Sequence, residues 1–281
     1  MRRAVFWVCG MLAGCDQVFA LEQRVDAVPF GPPVPLDGIN TSSLEEDDPS
    51  LTADLLELYF LRDEDIWHAR RASPTAAWEP AVLLAAVNTP AVELRPSVAP
   101  DGLTLYFARQ APDLPNLRDI FVTTRASRKV DWSPPTVLAL DLNGLETDEL
   151  PGSSSPDGLT LFVDSGLVVG GGGDRDVYVA TRTAVGDPFT SREFTELNAE
   201  SSDGAASATA AGTTVMFESN RSGTVALWEA VQAGARWDLH FHVELDSSVV
   251  DGTPWLSPDG TVVVFSSNCV GGTDDLYMAT R

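Results

Sequence analysis

The feature that most constrains how this chain folds is a short motif that occurs five times. It combines a Pro-Asp-Gly turn with an alternating apolar segment, and the copies are Arg95–Phe107, Gly152–Val163 and Pro254–Phe265, with degenerate versions at Ser50–Phe60 and Ser207–Phe217. Proline fixes φ, aspartate caps the turn and glycine tolerates a positive φ, a combination that favours a tight reversal between strands. Each copy therefore predicts a β-hairpin.

A third strand is predicted after each hairpin, and a fourth strand follows it in the first four copies. The third strands are Asp65–Arg70, Asp119–Arg125, Asp176–Arg182, Ala226–Ala230 and Asp275–Arg281. An aromatic residue and a proline then introduce a fourth strand, as at Trp78–Pro80 and Trp132–Pro134. The aligned turn positions 54, 101, 157, 211 and 259 are 47, 56, 54 and 48 residues apart. Four strands at this spacing predict an all-β fold, a five-bladed β-propeller of four-stranded antiparallel blades.

The fifth copy stops at Arg281 after three strands, which leaves a strand edge without a partner. The early segment Phe30–Asn40 matches the fourth-strand pattern of Trp132–Asn143. We therefore predict that residues 33–40 pair with the strand at 275–280 and close the ring. The blades are expected at about 46–88, 93–143, 149–198, 203–246 and 251–281, within a propeller domain at 29–281.

The N-terminus has the pattern of an export signal. Two arginines precede an apolar stretch, residues 4–12, that is too short to span a bilayer, and the stretch ends in Leu-Ala-Gly before Cys15. This sequence resembles a bacterial lipobox, which implies lipidation of Cys15, a signal at 1–15 and a short tether at 16–28. Cleavage after Val18–Ala20, or an uncleaved anchor, are the alternatives. Because Cys9 would be removed with the signal and Cys15 would be acylated, Cys269 has no intrachain disulfide partner.

The repeat resembles the WD40-like (PD40) repeat of TolB-type propellers, which are found in the bacterial envelope. The resemblance rests on the Ser-Pro-Asp-Gly turn before an apolar strand and on the later Asp-Ile and Trp-x-x-Pro elements, and it covers nearly the whole mature chain. TolB has six blades and a second domain, whereas five copies occur here. The resemblance implies a protein-binding or scaffold module on the periplasmic or cell-surface side of the envelope, anchored in the membrane by its lipid.

The acidic composition limits the choice of partner. The formal net charge is −23 with only 18 lysines and arginines, so a nucleic-acid partner is not expected. A basic segment of an envelope protein, or a cation such as Ca²⁺, fits this charge better, although solubility alone also explains it. We expect a monomer with no required cofactor.

One carboxylate recurs in every copy, eight residues before the aligned turn position. The five residues are Glu46, Glu93, Glu149, Asp203 and Asp251. We expect them to ring one mouth of the central channel, where they are candidate ligands for a cation or a basic segment. In the alternative interpretation, each carboxylate accepts hydrogen bonds from loop amides and fixes the junction between two blades.

A glycoside hydrolase-like or carbohydrate-binding propeller is the competing functional hypothesis, because five-bladed propellers include glycosidases that place carboxylates around the channel. Such chemistry needs an acid and a base in different environments, whereas repeated carboxylates imply similar ones. We therefore predict a binding protein and not an enzyme, with no assigned catalytic or metal site. If there is catalysis, Asp47 and Asp48 are the first candidates, because they break the symmetry beside Glu46.

Overall fold

The computed structural model describes residues 27–111, 117–144, 147–166, 175–247, 249–269 and 273–281. Every regular element in these residues is a β-strand. No helix in this part of the chain is long and apolar enough to span a membrane. The predicted signal, Cys15 and most of the predicted tether lie outside the described residues.

The strands form five antiparallel sheets of four strands each. The closing strand is β1 (Val34–Pro35), and blade 1 contains β2 (Glu46–Leu51), β3 (Glu57–Arg62), β4 (Asp65–Arg70) and β5 (Val82–Leu83). Blade 2 contains β6 (Glu93–Val98), β7 (Thr104–Gln110), β8 (Arg118–Thr124) and β9 (Thr136–Val137). Blade 3 contains β10 (Asp148–Ser154), β11 (Thr160–Gly166), β12 (Arg175–Thr181) and β13 (Thr190–Glu193). Blade 4 contains β14 (Asp203–Ala208), β15 (Thr214–Ser219), β16 (Ala226–Ala233) and β17 (Arg236–Phe241), and blade 5 adds β18 (Asp251–Leu256), β19 (Val262–Ser267) and β20 (Asp275–Thr280).

The sheets are the blades of a five-bladed β-propeller, as predicted. The first strand of each blade is innermost and contacts the first strand of the next blade. We call the face that carries the loops between consecutive blades the junction face, and the face that carries the Pro-Asp-Gly turns the turn face. Apolar side chains fill the space between neighbouring blades in five buried clusters.

The aromatic residue before the fourth strand has a specific partner on the turn face. The Nε atom of Arg125 donates to the carbonyl of Gly102 at 2.7 Å, and its guanidinium lies 4.3 Å from the ring centre of Trp132. This arginine therefore ties the hairpin turn to the start of the outer strand. The same arrangement recurs in three other blades, through Arg71 with Leu55 and Trp78, Arg182 with Gly158 and Phe189, and Arg281 with Gly260 and Phe30.

Serine hydroxyls join the innermost strands of neighbouring blades. The Oγ atom of Ser50 accepts a hydrogen bond from the backbone N–H of Val98, and Ser97 donates to the carbonyl of Gly152. Ser153 and Ser207 make equivalent links to blades 4 and 5. At the fifth junction Trp255 replaces the serine and packs against apolar side chains of blade 1. Serine links thus join the inner ring at four junctions, and the packing of Trp255 takes their place at the fifth.

The predicted closure by the N-terminal segment is confirmed. Strand β1 pairs antiparallel with β20, and Val34 lies opposite Met278. The N–H of Gly31 donates to Thr280, and the side chain of Asn40 bonds both the N–H and the carbonyl of Leu276. These contacts supply the fourth strand that blade 5 lacks.

The closing segment is also held by blade 4. The ring of Phe30 lies 5.4 Å from the ring of His242 and 4.4 Å from the guanidinium of Arg281. Its N–H donates to Glu244, which also bonds His242. Burial alone would lower the pKa of His242, but the hydrogen bonds to Glu229 and Glu244 raise it. The closure therefore links the two blades on either side of the last junction.

Deletion of residues 28–40 should lower Tm by about 10 °C or more, because the deletion removes the outer strand of blade 5 and the buried Phe30. Thermal unfolding followed by circular dichroism measures the change. Val28→Ala is the control, since this side chain is 61% exposed and its loss should leave Tm within about 1 °C. An unchanged Tm in the deletion variant would contradict the importance of closure.

Candidate functional site

The five repeated carboxylates lie at the start of the innermost strands, at the junctions between blades. All five residues are completely buried. In four of them the carboxylate accepts a hydrogen bond from a backbone N–H in the preceding loop, from Thr41, Thr89, Ala199 and Ser247. These bonds are those expected if the carboxylates fix the blade junctions. The described residues contain no group of three or more histidine, cysteine or acidic side chains that could hold a metal ion. Cation binding by this ring stays a prediction.

In three blades the carboxylate also pairs with an arginine near the end of the second strand. Arg62 lies 2.8 Å from Glu46, Arg109 lies 2.7 Å from Glu93 and Arg221 lies 2.5 Å from Asp203. Such pairs are strong only when their remaining polar groups are satisfied. Here each guanidinium also donates to a loop carbonyl and lies over two aromatic rings.

Blade 3 departs from this pattern, because no arginine pairs with Glu149 among the residues that the structure describes. Ser165 lies opposite Glu149, where blades 1 and 2 have the arginine; blade 4 also has a serine there, Ser219, and its Arg221 follows two residues later. The Oε1 atom of Glu149 accepts hydrogen bonds from Thr147 and Ser165, and Oε2 has no partner. Burial, with Asp119 and Asp148 nearby, raises the pKa of Glu149 to about 7. The carboxyl group is therefore only partly ionised at neutral pH.

A second polar cluster lies inside the channel at the junction face and centres on Arg95. Its guanidinium contacts three carboxylates from three other blades, at 3.0 Å from Asp48, 3.3 Å from Asp164 and 3.1 Å from Glu218. Thr253 brings in blade 5, since its N–H donates to Glu218 and its hydroxyl donates to Asp47. This channel-mouth cluster joins all five blades.

A β-bulge in each innermost strand turns these side chains toward the channel. Each of these strands has one more residue than its partner strand at this point, two to four residues after the repeated carboxylate. Asp48, Arg95, Ala205 and Thr253 adopt positive φ values there, between 48° and 53°. Bulges redirect side chains and are common beside functional sites. The repeated backbone feature thus presents different side chains to one small volume.

The channel-mouth cluster contains more negative than positive charge. Burial and the neighbouring Asp47 raise the pKa of Asp48 to about 7, against the effect of Arg95. Burial also raises the pKa of Asp164, whose Oδ1 atom has no hydrogen-bond partner. Outside the cluster, burial and Asp47 raise the pKa of Asp274 to about 6. This end of the channel is therefore strongly electronegative.

Sequence reasoning identified only part of this cluster. It named Asp47 and Asp48, but it missed Arg95, Asp164 and Glu218. A usable signal lies in two glycines on the next blade's innermost strand. A Cβ atom on Gly204 would lie 2.8 Å from Asp164, and one on Gly252 would lie 2.7 Å from Glu218. In both cases an acidic residue on the second strand of one blade faces a glycine on the innermost strand of the next blade, and this combination could have identified Asp164 and Glu218.

The space inside the channel is small. A cavity of about 50 Å³ lies between the five innermost strands, and Asp48, Arg95 and Thr253 are among its lining residues. A water molecule needs roughly 10–15 Å³, whereas ligand pockets measure about 300–1,000 Å³. The cavity therefore has room for a few water molecules and is too small for a sugar ring.

Comparisons with known proteins support the fold only. No family model matches the sequence, and no curated protein matches it significantly. TolB from Acinetobacter baumannii is similar over 86% of this chain and 56% of its own, at 16% identity and a TM-score of 0.54, so this chain spans little more than half of that protein. A family 117 glycoside hydrolase from Zobellia galactanivorans is similar over 90% of both chains, at 12% identity and a TM-score of 0.57. The catalytic domain of a GH62 α-L-arabinofuranosidase from Coprinopsis cinerea is similar over 90% of this chain and 96% of its own, at 10% identity and a TM-score of 0.52.

Arg95→Met should destabilise the protein by about 3–5 kcal/mol, because it leaves the buried Asp48 and Asp164 and the partly buried Glu218 without their shared cation. Urea unfolding at pH 7.5 gives the free energy of unfolding. Arg192→Met is the matched control, since the ion pair of Arg192 with Glu196 is exposed at the surface and its loss should cost less than about 0.5 kcal/mol. Equal stabilities of the two variants would contradict a central role for Arg95.

Asp48→Asn should change how stability depends on pH. The pKa of Asp48 is about 7 in the folded protein and 3.8 ordinarily, so the folded state holds this proton more tightly. The contribution of Asp48 to the free energy of unfolding therefore falls as pH rises from about 4 to 7, by at most about 1.4 kcal/mol per pH unit. The wild type should lose stability relative to Asp48→Asn across this window. A difference in the free energy of unfolding between the two proteins that stays constant from pH 4 to 7 would contradict the assignment.

Proposed function

We propose that this protein is a lipid-anchored envelope β-propeller that binds a partner protein at its junction face and does not catalyse a reaction. The observation that carries this proposal is how the carboxylates of the channel-mouth cluster are paired and how little space adjoins them. Its three carboxylates, of which Asp48 and Asp164 are buried, are already paired with Arg95, and the adjoining cavity of about 50 Å³ cannot admit a sugar ring. The acids are thus engaged with the protein itself.

The junction face supports protein binding by its charge and by its exposed apolar residues. Asp47 and Asp274 lie at the electronegative end of the channel. The loop between blades 4 and 5 exposes Val249 and Val250 close to the same mouth. Charged groups beside exposed apolar residues are typical of the polar rim and apolar centre of protein interfaces. A partner segment that is basic and partly apolar fits this surface.

The N-terminal sequence supports attachment to the envelope. A basic start, a short apolar stretch and Cys15 after small residues are the features that lipidation requires. The stretch from Cys15 to Phe30 can reach at most roughly 50 Å at about 3.3 Å per residue. The propeller would therefore act close to its membrane.

Cys15→Ser should move the protein from the membrane fraction to the soluble fraction of its host bacterium, because the variant has no thiol to acylate. Fractionation followed by immunoblotting tests this, and intact-mass measurement of the wild type should show an acylated N-terminal cysteine. Cys269→Ser is the control and should stay with the membrane. An unacylated wild-type protein would exclude the anchor.

Site-specific photo-crosslinking in intact cells tests partner binding. A photoreactive residue at Val249, on the junction face, should give a discrete adduct, whereas one at the exposed Lys129 on the turn face should not. The two positions are matched, since both lie in exposed loops. Adducts from neither position, or equal adducts from both, would contradict a partner at the junction face.

Glycoside hydrolysis is the second candidate function. One observation favours it: the channel-mouth cluster places acids from three blades together, and one of them, Asp48, has a pKa of about 7. An acid and a base with separated pKa values are what glycosidases use. Hydrolysis of aryl α-L-arabinofuranosides by the wild type, lost in Asp48→Asn, would establish this function in place of binding alone.

A further inference from the structure

The surroundings of the repeated carboxylate can be compared from blade to blade. We call Glu46, Glu93, Glu149, Asp203 and Asp251 the junction carboxylates. In blades 1, 2 and 4 the carboxylate pairs with an arginine of its own blade, namely Arg62, Arg109 or Arg221. Blade 3 keeps the carboxylate, Glu149, but Ser165 lies opposite it where blades 1 and 2 have the arginine. Its sequence from 166 to 174 also contains no arginine that could take the role of Arg221, which in blade 4 follows Ser219 by two residues. The repeat has therefore lost a cation here and kept its anion.

The arginines of blades 1, 2 and 4 show which chemical group fits beside the junction carboxylate. In blade 2 the guanidinium of Arg109 pairs with Glu93, donates to the carbonyl of Val87 and lies 5.0 and 4.8 Å from the ring centres of Phe107 and Phe121. Blades 1 and 4 repeat all three kinds of contact, through Arg62 and Arg221. A planar cation with several N–H donors and an affinity for aromatic faces suits such a position.

Blade 3 retains much of this environment. By the register of the repeat, Tyr178 is the counterpart of Phe121, and Val163 opposite it is the counterpart of Phe107. Leu142, whose carbonyl corresponds to that of Val87, precedes Asn143, which caps the third strand as Asn88 does in blade 1. Burial raises the pKa of the Tyr178 hydroxyl, and the carboxylates of Glu193, Asp176 and Glu149 raise it further.

Glu149 has an unused hydrogen-bond acceptor. The residue is completely buried, and its Oε2 atom has no partner. An unpaired buried carboxylate oxygen is costly and rare in native proteins. Blade 5 also lacks the arginine, but there Ser247 donates to both oxygens of the shorter Asp251. Among the described residues, blade 3 is thus the blade whose junction carboxylate keeps an orphan oxygen.

We propose that blade 3 binds the guanidinium group of an arginine side chain from a partner protein, which pairs with Glu149 in the place that an intrinsic arginine occupies in blades 1, 2 and 4. This inference rests on the proposed binding function and specifies one contact of it. The position is near the surface, since the side chains of Arg62, Arg109 and Arg221 remain 9%, 15% and 14% exposed. The net charge of −23 favours the approach of a cationic segment.

The test uses N-methylguanidinium chloride as the probe, at millimolar concentrations where it does not denature proteins. At about ten times its Kd it should raise the Tm of the wild type by about 3 °C or more. Methylammonium chloride at equal concentration controls for ionic strength and for a simple ammonium. Glu149→Gln should abolish the shift because it removes the anion. A wild type that responds equally to both salts, or to neither, would overturn the proposal.

Ser165→Arg provides the decisive variant. It should restore the internal pair, raise Tm in the absence of probe and abolish the response to N-methylguanidinium. Arg109→Ser is the converse variant and should acquire a second response in blade 2. If Ser165→Arg does not fold, the Tm responses of Glu149→Gln and Arg109→Ser to N-methylguanidinium still test the proposal. A Ser165→Arg protein that folds and still responds would place the bound cation elsewhere and contradict the proposal.

Crosslinking from Val249 separates this inference from the proposed function. A partner adduct that is formed by the wild type and lost in Ser165→Arg supports both. An adduct that persists unchanged in Ser165→Arg retains the binding function and overturns the arginine contact. No adduct in the wild type overturns the binding function, and with it the partner arginine, even if the free probe still binds.

Discussion

The pairing of β1 with β20 is the interaction on which the rest of the structure depends. Without it blade 5 has a bare edge, and the hydrogen bonds of Gly31, Leu36 and Asn40 to the last strand are lost. With it, residues more than two hundred positions apart join one sheet, as Asn40 joins Leu276. The closed ring brings five innermost strands within reach of one another, and the serine links and the channel-mouth cluster both require that approach.

Positions that repeat in the sequence serve the scaffold, and positions that break the repeat carry the unusual chemistry. The turn-face arginines and their aromatic partners recur because each blade must join its turn to its outer strand. The exceptions are Arg95, Asp164 and Glu218 at the channel mouth and Glu149 in blade 3, whose Oε2 atom has no partner. A side chain repeated around a ring meets nearly the same environment each time, so only a departure from the repeat can create a distinct site.

The degree to which each feature could be predicted follows from its range along the chain. The hairpins, the blade number and the closing strand were predicted correctly, because turn chemistry and strand alternation are visible within about a dozen residues. The five junction carboxylates were identified, but not their complete burial or their arginine partners. Arg95 was missed because its partners lie on three other blades; Glu218, for example, is 123 residues away.

The sequence by itself determined the repeating unit, its number and the segment that completes the last blade, since each depends on local conformational preference and on strand-edge pairing. The tertiary structure alone decided which carboxylates share a cation and which does not. Glu93 and Glu149 occupy the same position in the repeat, yet Glu93 pairs with Arg109 while an oxygen of Glu149 stays unpaired. The reason is physical: the pairing and the pKa of a buried charge depend on the groups packed around it, and the closed ring sets that packing.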